Sequence, residues 1–427
     1  MIGRLIRFAG AVGLLASLTI PTASAEASAA ASAAAPATRV QHFAGCRAMH
    51  QRFPHGVGRL RAHDRTSGMP VTDFRRSNRL YTANSGLDRD RDRIACEAPV
   101  RAPRIMVVGD SISQGSAGDY TWRYRLWQHL TSSHTSFVLV GPRNDLYDQN
   151  TQQQGSQDYV DRSFDTWHDA VWGRPIAAEK DTIGDEVAAS RPDVLLVLLG
   201  INDLIYYDTP ELAASDMATL IANARAVNPD IKIVVGQVLP HAPVASVPML
   251  DTMISQFNTD LTNLAATTST RRSPVVIAST ATGFDLALDS YDGAHPNPAG
   301  EYSIAAAFAD RLWTGFRFGA PFGVIPPAPS WPQTPVLALA VAGAGSTTLT
   351  WSSVPGAMGY YVYQRDITAG QTAFTRSTFP VGGTSVVWAP LVDGDHYEFM
   401  VASTKGTAVG APSDIVGATP SATAMAQ

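Results

Sequence analysis

The sequence predicts an α/β fold in which a parallel five-stranded sheet carries helices on both faces. Short apolar runs at 105–108, 137–140, 194–199, 231–235 and 275–278 recur through the middle of the chain, separated by helix-length segments. The runs are rich in Val, Ile and Leu and lack helical spacing, which suits strands buried on both faces. The last segment supplies a helix: Asn297-Pro298 gives a start, and Ile304, Phe308 and Leu312 recur every four residues along one face.

The first run, Ile105 to Val108, stops at Gly109 and delivers Asp110 and Ser111. The glycine permits a sharp turn into a following helix, so Ser111 stands at the carboxyl end of a strand, where active sites of open α/β sheets collect. Gly-Asp-Ser alone also fits an ordinary turn with a helix N-cap. The third run, 194–199, ends in Gly200-Ile201-Asn202-Asp203, which makes the Asn202 amide a candidate oxyanion donor. The fifth strand and its loop lead to Asp292-Gly-Ala-His295-Pro296. A serine hydroxyl needs an imidazole to remove its proton, and a carboxylate to fix that imidazole's tautomer; Asp292 and His295 supply both from one turn.

With these blocks in place, residues 103–318 resemble the SGNH hydrolases, the GDSL esterase family, through Gly109-Asp110-Ser111, Gly173, Gly200-Ile201-Asn202-Asp203 and Asp292 to His295. The resemblance implies a flavodoxin-like doubly wound sheet, a Ser111, Asp292, His295 triad, and an oxyanion hole from the Ser111 N–H, the Gly173 N–H and the Asn202 amide. The glycine block, His168 to Gly173, is short, and Gly155 and Gly184 are weaker candidates for its role. No Gly-x-Ser-x-Gly and no His-Glu-x-x-His occurs, which argues against the commoner α/β-hydrolase arrangement and against a zinc hydrolase; no cofactor is expected for catalysis. His129, His134, His168 and His241 read as structural histidines. Tyr206 and Tyr207 either line the cleft or pack, and Trp172 is the aromatic expected nearest substrate.

Before this domain, residues 1–25 carry Arg4 and Arg7, an apolar stretch from Phe8 to Ile20 and Ala23-Ser24-Ala25, the pattern of a secretory signal peptide. Residues 26–40 form an Ala/Ser-rich leader unable to bury a core. No stretch is long enough for a membrane span, and a formal net charge of -5 implies no nucleic-acid or other polyanion partner overall. The two cysteines, Cys46 and Cys96, are expected to pair in an exported protein, contributing about 3 to 4 kcal/mol on the chain-entropy model; metal ligation is the alternative.

Asp88, Asp90 and Asp92 have the alternate spacing with which carboxylates converge on calcium. Residues 41–98 resemble the Excalibur domain, through Phe43-Ala-Gly-Cys46, Tyr81 and Asp92 to Glu97, and the resemblance implies calcium binding. Arg93 stands where glycine is usual in such loops, bringing a positive charge and removing the easy turn. The other reading pairs the aspartates with Arg89, Arg91 and Arg93 on a solvated surface.

After the catalytic region, residues 319–335 carry six prolines and read as an extended, semi-rigid linker. Residues 336–420 alternate as short strands between Gly, Pro and Ser turns, the pattern of a small β-sandwich. They resemble a fibronectin type III domain, with Trp351 as core tryptophan and Leu391 to Tyr397 like its tyrosine corner.

The functional expectation is a secreted, metal-independent serine esterase working through an acyl-enzyme. Arg104 to Ser111, Tyr120 to Trp127 and Phe137 to Gly141 look most like carbohydrate acetyl esterases of the family, implying an acetylated polysaccharide or cell-wall polymer as substrate. A lipase or phospholipase is the enzymatic alternative, and a wall-binding protein without activity is a different class. The flanking modules are expected to localise the enzyme without taking part in bond cleavage, so a chain trimmed to 100–320 would keep its turnover on a small ester.

Overall fold

The computed structural model describes residues 40–65, 71–97 and 102–422; the expected signal peptide and nearly all of the leader lie outside them. The chain divides into two compact units, one ending at Ala62 and resuming over Phe74–Cys96, the other comprising His63–Asp73 and everything from Glu97.

The first unit is small. Its strand Val57–Gly58 pairs parallel with Arg75–Arg76 and antiparallel with Ile94–Ala95. Met49, Val57, Tyr81 and Ala95 form its buried core beside the Cys46–Cys96 disulfide. So few apolar side chains bury little surface, and the cross-link supplies stability that the core cannot.

In the second unit the sheet runs β1 (Arg104–Gly109), β2 (Val138–Val140), β3 (Val194–Leu198), β4 (Lys232–Gly236) and β5 (Val275–Ala278). The spatial order is β2-β1-β3-β4-β5, and every neighbouring pair is parallel. This is the doubly wound order expected, with its topological switch point between β1 and β3. A sixth strand beyond the five expected, Asp169–Ala170, pairs parallel with the end of β1 and is too short to show as an apolar run. Helices α1 (Trp122–Ser132) and α5 (Pro298–Phe316) pack together, Trp122 stacking on Phe308 with centroids 4.7 Å apart. Helices α2 (Ile176–Ser190), α3 (Pro210–Val227) and α4 (Leu250–Thr268) follow one another in a second layer.

Helix α5 starts where the sequence says it should. The Asn297 side chain accepts from Ala299 and Gly300 N–H, Pro298 occupies the first turn, and Ile304, Phe308 and Leu312 are fully buried. A two-stranded ribbon, Leu146–Asp148 with Gln153–Ser156, escaped the sequence reading because its polar residues lack strand periodicity.

Residues 337–418 form two antiparallel sheets. One contains Leu337–Gly343, Ser346–Trp351 and Ser385–Trp388, the other is centred on Gly359–Asp366 and Tyr397–Lys405. Trp351, Tyr360, Val362, Tyr397, Phe399 and Val401 fill the space between them. The Tyr397 hydroxyl accepts from the Val392 N–H at 3.1 Å, closing the corner expected from Leu391 to Tyr397.

The proline-rich stretch corrects one expectation. It lies against the catalytic domain: Ala320 O pairs with His129 Nε2 at 2.9 Å, Phe322 N–H donates to Asp310, and buried Trp331 donates its indole N–H to Gly118 O at 2.8 Å. Phe322 and Trp331 bury enough apolar surface to hold an otherwise extended segment in place. The sandwich beyond it packs against the loops after β1 and β5, so it is not spaced away from the proposed chemistry.

Candidate active site

β1 ends at Gly109, and Asp110 caps a short helix, Ser111–Gln114, by accepting from Ile112 N–H at 3.0 Å. Ser111 is therefore presented at the carboxyl edge of the sheet. The next residues tie this helix to the Trp172-Gly173 turn: Gln114 Oε1 accepts from Trp172 N–H at 2.7 Å, and Gln114 itself is wholly buried.

At the end of β3 the backbone turns through Gly200, whose φ of +131° and neighbours leave no room for a side chain. A Cβ there would lie 2.4 Å from the Phe257 ring. The turn feeds a short helix, Ile201–Tyr206, which carries Asn202. Ser111 and Asn202 thus flank the switch point of the sheet. The Asn202 amide donates to Asp110 Oδ2 and to Arg174 O, each at 3.3 Å, long for N–H···O bonds and readily exchanged for a ligand oxygen. Asp203 accepts from Ile176 and Ala177 N–H at the start of α2, fixing the Gly173 turn to the Asn202 helix.

Gly173 has φ +77°, with open space where a Cβ would stand. Arg174 beside it pairs with Asp169 at 2.8 Å and with Glu179, beneath the turn. Burial, reinforced by neighbouring acids, pushes the Asp169 and Glu179 carboxyls upward. Burial also pushes Asp110 up to about 7, against the opposing pull of the Ile112 N–H and of His295.

The loop after the short helix Leu286–Asp289 carries Asp292 and His295. His295 Nδ1 faces Asp292 Oδ2 at 2.8 Å, while Asp292 Oδ1 accepts from Ala294 N–H at 3.0 Å and His295 N–H at 2.8 Å. Burial raises the Asp292 carboxyl, yet the bonds and charge from His295 and the two N–H groups hold it below its ordinary range. An ionised Asp292 accepts from Nδ1–H and so leaves Nε2 unprotonated as the acceptor, the tautomer required of a base. The imidazole lies near-parallel to Trp172, centroids 4.5 Å apart, and to Tyr291, 5.8 Å apart.

Ser111, Gly173, Asn202 and His295 meet on one cleft of about 410 Å³, completed by Ile112, Ile201, Ile205, Trp172, Tyr206, Tyr207, His241 and Ala294. The arrangement can present a hydroxyl, a base with its orienter, and N–H donors to one acyl group. A larger hollow of about 640 Å³, bounded by residues such as Gln237, Asn258 and Thr282, contains no histidine.

The other candidates separate cleanly. Gly155 lies in the ribbon and Gly184 inside α2, neither in this cleft. His168 is fully buried; its Nδ1 accepts from Ala170 N–H, so Nε2 donates to Asp145 O, and burial drives its pKa well down. His129 stacks on Phe322, and His134 takes a left-handed turn after α1. Tyr206 and Tyr207 line the cleft with most of their surface exposed, rather than packing. His241, read from sequence as structural, reaches the cleft wall; its position after β4 was the available signal. Gln114, whose side chain holds the Trp172-Gly173 turn, was missed because a lone glutamine carries no motif.

In the N-terminal unit, Asp88, Asp90 and Asp92 bring carboxylate oxygens within 4.8 Å of one another. Asp88 accepts from Arg91 and Arg93 N–H and from the Tyr81 hydroxyl. Arg93 makes the glycine-like turn after all, at φ +81°.

Residues 107–301 match the GDSL-like lipase/acylhydrolase family. Among solved structures, the chain is similar to an acetyl esterase mutant with acetate ion (26% identity, 50% of this chain and 97% of that one, TM-score 0.42). It is similar also to a carbohydrate esterase family 3 protein from Talaromyces cellulolyticus (27%, 50% and 97%, TM-score 0.43). A third is a family 3 carbohydrate esterase of Clostridium thermocellum (22%, 51% and 98%, TM-score 0.41). No curated protein matches the chain. The matched segment carries Ser111, Gly173, Asn202 and His295, and residues 107–301 are accordingly an ester-hydrolase domain of the GDSL, or SGNH, type.

Proposed function

We propose that the protein is an exported serine esterase that removes acetyl groups from carbohydrate without a metal. The observation that carries the mechanism is the convergence of Ser111, Gly173, Asn202 and His295 on one cleft, with His295 Nδ1 fixed on Asp292. His295 Nε2 takes the Ser111 proton as Oγ attacks the acyl carbon. The oxyanion is met by the Ser111 and Gly173 N–H groups and the Asn202 amide. The tetrahedral adduct collapses as His295 returns the proton to the leaving alcohol, leaving acyl-Ser111. Water, activated by the same imidazole, then releases the acid and restores the hydroxyl.

The substrate class rests on the lining of the cleft. Its apolar members beyond the aromatics are Ile112, Ile201, Ile205 and Ala294, enough for a short acyl group, while Tyr206 and Tyr207 offer exposed rings to a sugar. Acetate release from acetylated xylan should greatly exceed fatty-acid release from emulsified lipid, and the reverse preference would make the protein a lipase. A chelator should leave turnover on a short p-nitrophenyl ester unchanged.

For the N-terminal unit we propose calcium binding at Asp88, Asp90 and Asp92, supported by their convergence and by the turn that Arg93 accepts. Its arginines give it a role in retaining the enzyme on acidic wall polymer. Calorimetric titration with calcium should show binding that Asp90→Asn removes; no heat from the wild type would reject the site.

A further inference from the structure

The sandwich reaches into the catalytic domain through the tip of one hairpin, Lys405-Gly406-Thr407, at the end of the strand Tyr397–Lys405. Lys405 is one of only three lysines in the chain, and its ammonium is almost wholly buried. Its three N–H groups go to Asp119 Oδ1 at 2.7 Å, Ala117 O at 2.9 Å and Ser116 Oγ. All three acceptors lie in the loop that follows the Ser111 helix. Asp119 in turn accepts from Ser116 N–H at 2.6 Å, closing that loop on itself.

The same ammonium stands over the rings of Tyr291, 5.1 Å from its centroid, and Trp331, 5.3 Å away. Tyr291 precedes Asp292, is fully buried and lies near-parallel to the His295 ring; its N–H donates to His295 O at 3.1 Å. Thr407 completes the grip, donating to Tyr291 O from its backbone N–H at 2.7 Å and its hydroxyl at 3.1 Å. Gly406 between them runs so close that a Cβ would stand 2.0 Å from Tyr291 O, at a φ of +55°.

A charge buried at this depth is tolerated only when fully paired, and its partners here come from the loop that follows the Ser111 helix and from Tyr291 in the loop of the proposed base. We propose that Lys405 is a positioning residue of the active site, holding the Ser116–Asp119 loop and Tyr291 in register, so that the sandwich completes the catalytic unit. The proposal rests on the Ser111 and His295 reading, which Ser111→Ala tests separately: retained hydrolysis in that variant would refute that reading whatever Lys405 does.

The test compares Lys405→Met, Gly406→Ala and Leu349→Ala in the full chain, Leu349 being a buried residue of the sandwich core. Turnover and KM on p-nitrophenyl acetate are measured at 25 °C beside each Tm. Lys405→Met and Gly406→Ala should lower kcat about tenfold or more with KM within about twofold, since a misplaced base weakens the transition state and not binding. Leu349→Ala should lose at least as much Tm and keep its kcat. A folded Lys405→Met with wild-type kcat would overturn the proposal, as would a Leu349→Ala loss of kcat equal to that of Lys405→Met. If Lys405→Met fails to fold, Gly406→Ala decides alone by the same criteria.

Discussion

The two halves of the cleft are built differently. The proposed acyl-binding half, with Ser111, Gly173 and Asn202, is made by the ends of β1 and β3 and by turns locked to them through Gln114 and Asp203. The base half, Tyr291 to Pro296, is a loop held locally by Asp292 and from behind by Lys405 and Thr407, more than 100 residues further along. A sheet edge therefore positions the proposed nucleophile mainly through bonds within its own domain, whereas the loop carrying the proposed base takes its support from whatever packs on it.

Removal of the reacting groups gives the largest effect and falls on both halves alike. Ser111→Ala and His295→Ala should each cost about 10,000-fold or more in kcat on a short p-nitrophenyl ester, while Asp292→Asn leaves more residual activity because it only misorients the base. Far-UV circular dichroism should stay unchanged in all three. Within the acyl-binding half, Asn202→Ala should lower kcat by about 100- to 1,000-fold and spare KM. A rise in KM at constant kcat would make Asn202 a substrate-binding group instead.

The seam between the halves has a second buried charge, Glu301 of α5, which accepts from Thr121 N–H at 2.7 Å and Arg125 Nε at 3.2 Å. Burial pushes its carboxyl up to about 7, with Arg125 pulling the other way. The unfolded chain ionises this group first, above its ordinary 4.5, so its contribution to stability is full at low pH, declines as pH rises towards about 7 and is flat beyond. Glu301→Gln should remove that slope from the difference in Tm between pH 4.5 and 7.5. An unchanged slope would place the carboxylate ionised throughout. The smallest effect on turnover is expected outside both halves: Cys46→Ser with Cys96→Ser should destabilise the N-terminal unit by about 4 kcal/mol and leave esterase kcat as it was.

The same division explains what could be read from the sequence. The five apolar runs, Gly109 to Ser111, Gly200 to Asn202 and the Asp292, His295 pair are local patterns whose chemistry is written in neighbouring residues. The sheet order places them together without further information. The Asn297 cap was equally plain, because capping is decided within four residues. Lys405 was invisible: a lysine at a hairpin end reads as solvated, and only the packed sandwich shows it buried against Asp119 and Tyr291. The prolines of 319–335 suggested a spacer, since composition reports stiffness and says nothing of where Phe322 and Trp331 settle. Arg93 misled in the opposite sense, as a non-glycine residue accepted the left-handed turn.

The central claim, that Ser111 becomes covalently acylated with His295 as its base, is tested most directly by intact-protein and peptide mass spectrometry after treatment with a p-nitrophenyl alkylphosphonate. The account predicts one adduct per chain, on the peptide carrying Ser111, formed rapidly in the wild type and at least about a hundredfold more slowly in His295→Ala. Complete inhibition with the adduct on another residue, or equal labelling of Ser111→Ala, would contradict it.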